Sequence, residues 1–181
     1  MKNTLPPDVA LLLDAASDRY GIPRAFARAV AWTESRGSQV ARGTSGELGV
    51  MQLMAATAKS LQVDASDLVQ NIDGGVRLLS QLMRQYGEES GIAAYNAGPH
   101  VGQKPRASWP ASTRRYVDLV LARAELENAQ MGGRSAAAPL GATATTQLQP
   151  SLSPPPVPPL AAPSLPPKPP RPPSGEDGGN A

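Results

Sequence analysis

Aromatic residues and prolines divide this chain into two parts. All seven aromatic residues of the 181-residue chain lie at or before position 116. Fourteen of the 20 prolines lie in 131–181, and only six lie before that segment. A hydrophobic core needs large apolar side chains, so we expect one folded domain in 1–130 and a disordered, low-complexity, Pro-rich tail in 131–181.

Helical periodicity dominates the first part of the chain. Apolar residues recur there at helical spacing, and no segment shows a convincing alternation with period two. The fold class predicted for 1–130 is therefore a compact all-α domain. The predicted helices span 5–20, 22–35, 55–61, 71–86, 90–97 and 110–128. Gly74 and Gly75 lie inside one of these helices, which predicts a close packing contact at that point.

Glu34 is the only carboxylate in the apolar stretch 22–35. At 100° per residue, Val30 and Ala31 fall within about 60° of it on the helix surface. A carboxylate on an apolar stripe must be paired or held protonated, because burial disfavours its charge. A glycosidic general acid has to begin the reaction protonated. The alternative is that Glu34 ends its helix and points into water.

Charge and composition exclude several function classes. Lys and Arg number 14 in 1–130 against 13 Asp and Glu, and no basic run suggests a nucleic-acid interface. The chain has no cysteine, which excludes disulfides and thiol catalysis, and its one histidine, His100, does not predict a metal site. We expect no cofactor. No apolar run approaches the length of a membrane span.

Four sequence blocks occur in a recognisable order. They are Thr33-Glu34-Ser35, the segment 46–54 (GELGVMQLM), the segment 93–99 (AAYNAGP), and a region running from Asn71 through Thr113-Arg114-Arg115-Tyr116-Val117. Together they resemble the soluble lytic transglycosylase (SLT) domain, a family with a goose-type-lysozyme-like fold. The resemblance covers roughly residues 8–125.

The resemblance implies a set of site residues. Glu34 matches the sole catalytic acid of the family. The predicted substrate-binding residues are Ser45, Gln52, Met54, Tyr95 and Asn96. Three roles stay open for Tyr95: it steadies an N-acetyl group, hydrogen-bonds Glu34, or is a core tyrosine with a satisfied hydroxyl.

The resemblance also implies the reaction and the binding partner. The family substrate is the glycan strand of peptidoglycan, cleaved between N-acetylmuramic acid (MurNAc) and N-acetylglucosamine (GlcNAc). Most glycosidases use a second carboxylate. Lytic transglycosylases instead use the substrate's own 6-hydroxyl, which gives a 1,6-anhydromuramyl product, and Glu34 acts first as acid and then as base.

Two departures from the family pattern leave alternatives open. Gly43 stands where the family loop often has Ser, and Ser112 stands where it usually has Glu near the active site. Glu47 is interpreted as a solvated loop charge. If it instead supplied a second carboxylate, the chain would be a hydrolytic lysozyme. A third possibility is a peptidoglycan-binding scaffold without turnover, which Ser112 favours weakly.

The two ends of the chain give expectations about delivery. Taken as the natural N-terminus, the start lacks a secretory signal, because Pro6, Pro7 and Asp8 precede the apolar run. We therefore expect action at the bacterial cell wall or periplasm after transport in a phage virion or by a dedicated secretion system. The Pro-rich tail is interpreted either as a ligand or anchor for a protein partner, or as a spacer.

Overall fold

The computed structural model describes residues 4–132 of the chain. These residues form seven α-helices and one short 3₁₀ turn, joined by loops. The helices are α1 (Pro7–Tyr20), α2 (Arg24–Ser35), α3 (Ala55–Leu61), α4 (Leu68–Tyr86), α5 (Glu88–Ala97), α6 (Pro99–Gly102) and α7 (Ala111–Gln130), with the 3₁₀ turn at Arg106–Ser108. Within this range, β structure is limited to two isolated bridges that join Leu48 to Arg42 and to Leu53. The all-α prediction is confirmed. The tail predicted for 131–181 lies outside the described residues, apart from its first two positions.

Local signals account for the helix ends. Gly21 ends α1 in the left-handed conformation, with φ of 66°, and its N–H caps the carbonyl of Ser17. The long helix α4 begins three residues before the predicted start, because the side chain of Asp67 accepts a hydrogen bond from the N–H of Gln70. The prediction missed α6 and the 3₁₀ turn, since elements of four and three residues are too short to show helical periodicity.

The packing places α2 in the centre of the domain, against α1 and α7. The long helix α4 packs against α1 and α5, and α5 also contacts α7. The largest side chains that are fully buried come from different parts of the chain: Leu13, Met51, Ile72, Leu79 and Ile92. The loop that carries Met51 is therefore part of the hydrophobic core.

Gly75 explains how that loop approaches α4. A Cβ at Gly75 would overlap Cβ of Met51 and lie 2.6 Å from its Cγ. Gly74 makes a similar contact with Val63, at 2.9 Å from Cγ2. The close contact predicted for the glycine pair is confirmed. The lost helix propensity of about 1 kcal/mol per glycine is offset by this packing.

A buried ion pair on α7 contacts two residues of α2. Arg123 forms a salt bridge with Glu127 one turn later, with Nη2 2.5 Å from Oε1 and both side chains almost fully buried. The guanidinium of Arg123 also stacks on the Trp32 ring of α2, 4.2 Å from its centroid. From α2, Arg28 reaches the other carboxylate oxygen of Glu127 at 3.5 Å. This network fixes the position of α7 relative to α2.

No helix among the described residues is both long and apolar enough to cross a membrane.

Candidate active site

Glu34 lies in the last turn of α2 and is buried, with 4% of its surface exposed. Its Oε1 accepts a hydrogen bond of 2.8 Å from the hydroxyl of Tyr116 on α7. The interpretation in which Glu34 points into water is therefore wrong. The hydrogen bond from Tyr116 fixes the position of the carboxyl group at the end of α2.

Ser35 ties the end of α2 to the following loop. Its hydroxyl donates a hydrogen bond of 2.8 Å to the carbonyl of Val50 and accepts one of 3.1 Å from the N–H of Gly37. The residue directly after the candidate acid thus holds the loop segment that precedes Gln52. This contact gives a structural reason for the Glu-Ser pair seen in the sequence.

Tyr95, from α5, contacts the same loop from the other side. Its hydroxyl donates a hydrogen bond of 2.8 Å to the carbonyl of Met51. Burial, with a further contribution from the negative charge of Glu34, raises the pKa of Tyr95 well above its usual value. Because the one hydroxyl proton of Tyr95 is directed to Met51, Tyr116 is the tyrosine that donates to the carboxylate in this arrangement.

Asn71 at the start of α4 completes the support of this loop. Its Oδ1 accepts from the N–H of Met51 at 2.8 Å, and its Nδ2 donates to the carbonyls of Leu48 and Ala65 at 2.9 and 3.0 Å. Asn71 is fully buried, so these three bonds satisfy a polar group that burial would otherwise penalise. The sequence reasoning included Asn71 in the resemblance without a role.

Gln52 follows Met51 and has the left-handed backbone conformation that non-glycine residues rarely adopt, with φ of 48°. Its side-chain Nε2 donates to the carbonyls of Ala41 and Gly49 at 3.2 and 2.9 Å. These bonds hold Gln52 in the loop with 4% of its surface exposed. Its role in substrate binding stays a prediction.

Glu47 is buried as well, with 4% of its surface exposed, so its interpretation as a solvated loop charge is wrong. The N–H of Gly43 donates to the carbonyl of Glu47 at 2.8 Å, which closes a tight hairpin around Ser45. The Glu47 side chain turns back over this hairpin, and its Oε2 accepts from the N–H of Ser45 at 3.0 Å. A Cβ at Gly43 would overlap that carboxylate. Glu47 therefore fills the space that a side chain at position 43 would need.

The other predicted binding residues lie around this loop. Ser45 is half-buried at the hairpin tip, Met54 is half-buried directly before α3, and Asn96 is half-buried near the end of α5. Contact of these three residues with substrate stays a prediction. Ser112 is exposed in the first turn of α7. Within residues 4–132, no group of three or more His, Asp or Glu side chains is placed to hold a metal ion.

Sequence reasoning missed Tyr116 as a site residue. It was part of the last block of the resemblance, where no role was given to it. Nothing in that pattern identified its partner, because Glu34 lies 82 positions earlier in the chain. The spacing of helix residues predicts which face is buried, but not which residue that face contacts.

Comparison with known proteins agrees with this fold. The family model named Transglycosylase SLT domain matches residues 12–115. The chain is 38% identical over 111 residues to the transglycosylase of Enterobacteria phage PRD1, which covers 60% of this chain and 40% of that protein. It is 41% identical over 63 residues to the peptidoglycan transglycosylase gp16 of Escherichia phage T7, covering 35% of this chain and 5% of that protein.

Solved structures give the same result. An inactive mutant of the lytic transglycosylase Slt from Pseudomonas aeruginosa superposes with a TM-score of 0.58 at 25% identity, over 67% of this chain and 24% of that chain. This chain thus spans less than half the length of these relatives. The fold and site define a lysozyme-like all-α domain with a buried glutamate. The chain belongs to the transglycosylase SLT domain family.

Proposed function

We propose that the chain is a peptidoglycan lytic transglycosylase that cleaves the bond between MurNAc and GlcNAc. The observation that carries the proposal is the placement of Glu34, buried at the end of α2 and hydrogen-bonded at 2.8 Å by Tyr116. Family membership supports the substrate, because the phage T7 relative is named a peptidoglycan transglycosylase.

The reaction needs one carboxyl group used twice. Glu34 donates its proton to the bridging oxygen as the bond from that oxygen to C1 of MurNAc breaks. The 6-hydroxyl of the same MurNAc attacks C1, and its proton passes to the Glu34 carboxylate. The new C1–O6 bond closes the 1,6-anhydro ring and Glu34 is protonated again, so no water is consumed.

An internal nucleophile explains why a second carboxylate is not required. A hydroxyl held on the same sugar acts at a high effective concentration, which replaces the activation that a separate base would give a water molecule. Tyr116 has a complementary role, because its hydrogen bond stabilises the carboxylate that exists between the two proton transfers.

Glu34→Gln tests the assignment directly. The glutamine side chain keeps an oxygen that accepts from Tyr116, but it has no acidic proton to transfer to the bridging oxygen. We therefore expect the rate of sacculus digestion to fall at least about a hundredfold. Circular dichroism and glycan binding should be unchanged. Digestion within tenfold of the wild type would contradict the proposal. Glu125→Gln is a suitable control, since it removes an exposed carboxylate of α7.

The burial of Glu47 keeps hydrolysis as a second candidate function. A lysozyme would use a second carboxylate to activate water, and its muramic acid ends would be reducing rather than anhydro. Mass spectrometry of digested sacculi separates the two reactions, because the anhydro product is lighter by one water. Predominantly reducing ends would favour the lysozyme, and binding without any product would favour a peptidoglycan-binding scaffold.

We also infer that the enzyme acts at the bacterial cell wall as part of a virion or a secretion system. The two phage relatives support the virion more than the secretion system. Immunodetection of the chain in purified particles tests this, and its presence only in infected-cell lysate would contradict it. We also propose that a protein partner binds the Pro-rich tail.

A further inference from the structure

Two acceptor oxygens lie near each other on the loop that joins α2 to α3. A Cβ placed on Gly43 would overlap Oε2 of Glu47 and lie 3.0 Å from Oε1 of Gln52, so the two polar groups flank the same point. Each residue is 4% exposed. Because Gly43 has no side chain, the Glu47 carboxylate occupies this space.

Neither group has the partners that its chemistry requires. The one donor to the Glu47 carboxylate from residues 4–132 is the N–H of Ser45, which uses Oε2, and no cation of that range forms a salt bridge with it. Gln52 uses both hydrogens of its amide, while its Oε1 accepts from no group in the described part of the chain. Two acceptors without a donor between them repel each other, and a nearly buried carboxylate without a cation is unfavourable.

The free oxygens are not sealed inside the domain. Over the described range, the one side-chain polar atom that is both inaccessible and unbonded is Nε of Arg77. Oε1 of Glu47 and Oε1 of Gln52 therefore reach solvent from residues that are otherwise buried. Through the carbonyls of Val50 and Met51, the same loop is bonded to Ser35, next to Glu34, and to Tyr95, so the loop that carries these oxygens adjoins the end of α2 that carries the candidate acid.

We propose that Glu47 is a glycan-binding residue and that its carboxylate, with Oε1 of Gln52, accepts a hydrogen bond from a sugar hydroxyl or an acetamido N–H. A saccharide presents such donors but no cation, and a paired acceptor site fits a donor better than it fits an anion. This inference rests on the proposed function, because it assigns Glu47 to the glycan-binding site that the proposed function requires. It gives Glu47 a binding role and leaves the proton transfers to Glu34.

Glu47→Gln tests the proposal in the full chain. The substitution keeps the shape of the side chain and the acceptor for Ser45. It also places an N–H₂ group beside Gln52, and this group donates to the Gln52 oxygen in place of a sugar donor. The probe is a tetrasaccharide of alternating GlcNAc and MurNAc, titrated by calorimetry into Glu34→Gln and into Glu34→Gln/Glu47→Gln. We expect at least a tenfold weaker affinity for the double variant, with an unchanged or higher melting temperature because an unpaired buried charge is removed.

A second variant changes the same site without changing the chemistry of Glu47. Gly43→Ala places a methyl group where Oε2 of Glu47 lies, and only the end of a flexible side chain has to move. It should weaken the tetrasaccharide by a similar factor. Glu125→Gln on the same background removes one exposed negative charge and should leave affinity unchanged within twofold.

The outcomes separate the two proposals. If Glu34→Gln itself does not bind the tetrasaccharide, the proposed function fails and this inference fails with it. Equal affinity of the single and double variants would overturn the role of Glu47 alone. A hundredfold loss of kcat in Glu47→Gln with unchanged affinity would also overturn it, since Glu47 would then be a base for water. Cellotetraose, which has hydroxyls but no acetamido groups, identifies the donor: sensitivity to Glu47→Gln with both sugars indicates a hydroxyl, and with the tetrasaccharide alone an acetamido N–H.

Discussion

The hydroxyl of Tyr116 on α7 donates a 2.8 Å hydrogen bond to Oε1 of Glu34 on α2, across 82 positions of the sequence. This bond joins two helices that the Arg123–Glu127 pair and Trp32 also hold together. The position of the candidate acid thus depends on the packing of α7 as well as on the helix that carries it.

Tyr116→Phe should reduce turnover without unfolding the domain. A hydrogen bond to a charged group contributes about 1.5–3 kcal/mol, so we expect kcat on sacculi or soluble glycan to fall about tenfold or more, with little change in KM. Tyr86→Phe is the matched control, because among residues 4–132 the one hydrogen bond of its hydroxyl is accepted from the side chain of Gln103 at the surface. Equal rates for the two variants would show that the bond to Glu34 has no catalytic effect.

The raised pKa of Tyr95 predicts a loss of stability in alkali. The folded domain holds the phenol proton more tightly than the unfolded chain, whose tyrosines have a pKa of about 10. Its contribution to stability is therefore complete below pH 10 and is lost as the pH rises toward the folded-state pKa. Urea unfolding of wild type and Tyr95→Phe should show a difference in free energy that shrinks above pH 10, by up to about 1.4 kcal/mol per pH unit. A constant difference would contradict this prediction.

Glu127→Ala should destabilise the domain strongly. Removing one member of a buried ion pair leaves the remaining buried charge less well compensated, and such changes reduce the free energy of unfolding by about 3–5 kcal/mol. Denaturant midpoints measure the effect. Glu125→Ala, exposed on the same helix, should change the free energy by no more than about 0.5 kcal/mol. A loss for Glu127→Ala as small as for this control would show that the pair is unimportant for α2–α7 packing.

Removal of the tail should leave the domain stable and active. Residues 133–181 contain no aromatic side chain, so we expect a chain ending at Gly132 to melt within about 5 °C of the full chain and to digest isolated sacculi at the same rate. Calorimetry and a turbidity assay measure both properties. A larger decrease in melting temperature would show that the tail packs on the domain.

The sequence by itself determined the helices and the identity of the candidate acid. Apolar spacing predicted the six longer helices to within a few residues, because a helix that buries one face must repeat its apolar positions with its own period. The same spacing showed that Glu34 shares a face with Val30 and Ala31, which turned out to be buried. The prediction missed helix α6 and the 3₁₀ turn, since both are too short to show a helical period.

Only the tertiary structure decided what Glu34 and Glu47 contact. Glu47 lies among glycines and short polar residues, a pattern typical of a solvated loop, yet the space above Gly43 holds its carboxylate in the interior. Tyr116 reaches Glu34 because α7 folds back on α2. Periodicity records which face of an element is buried, whereas a contact between distant residues depends on how the elements pack, and this single sequence contains no direct record of that packing.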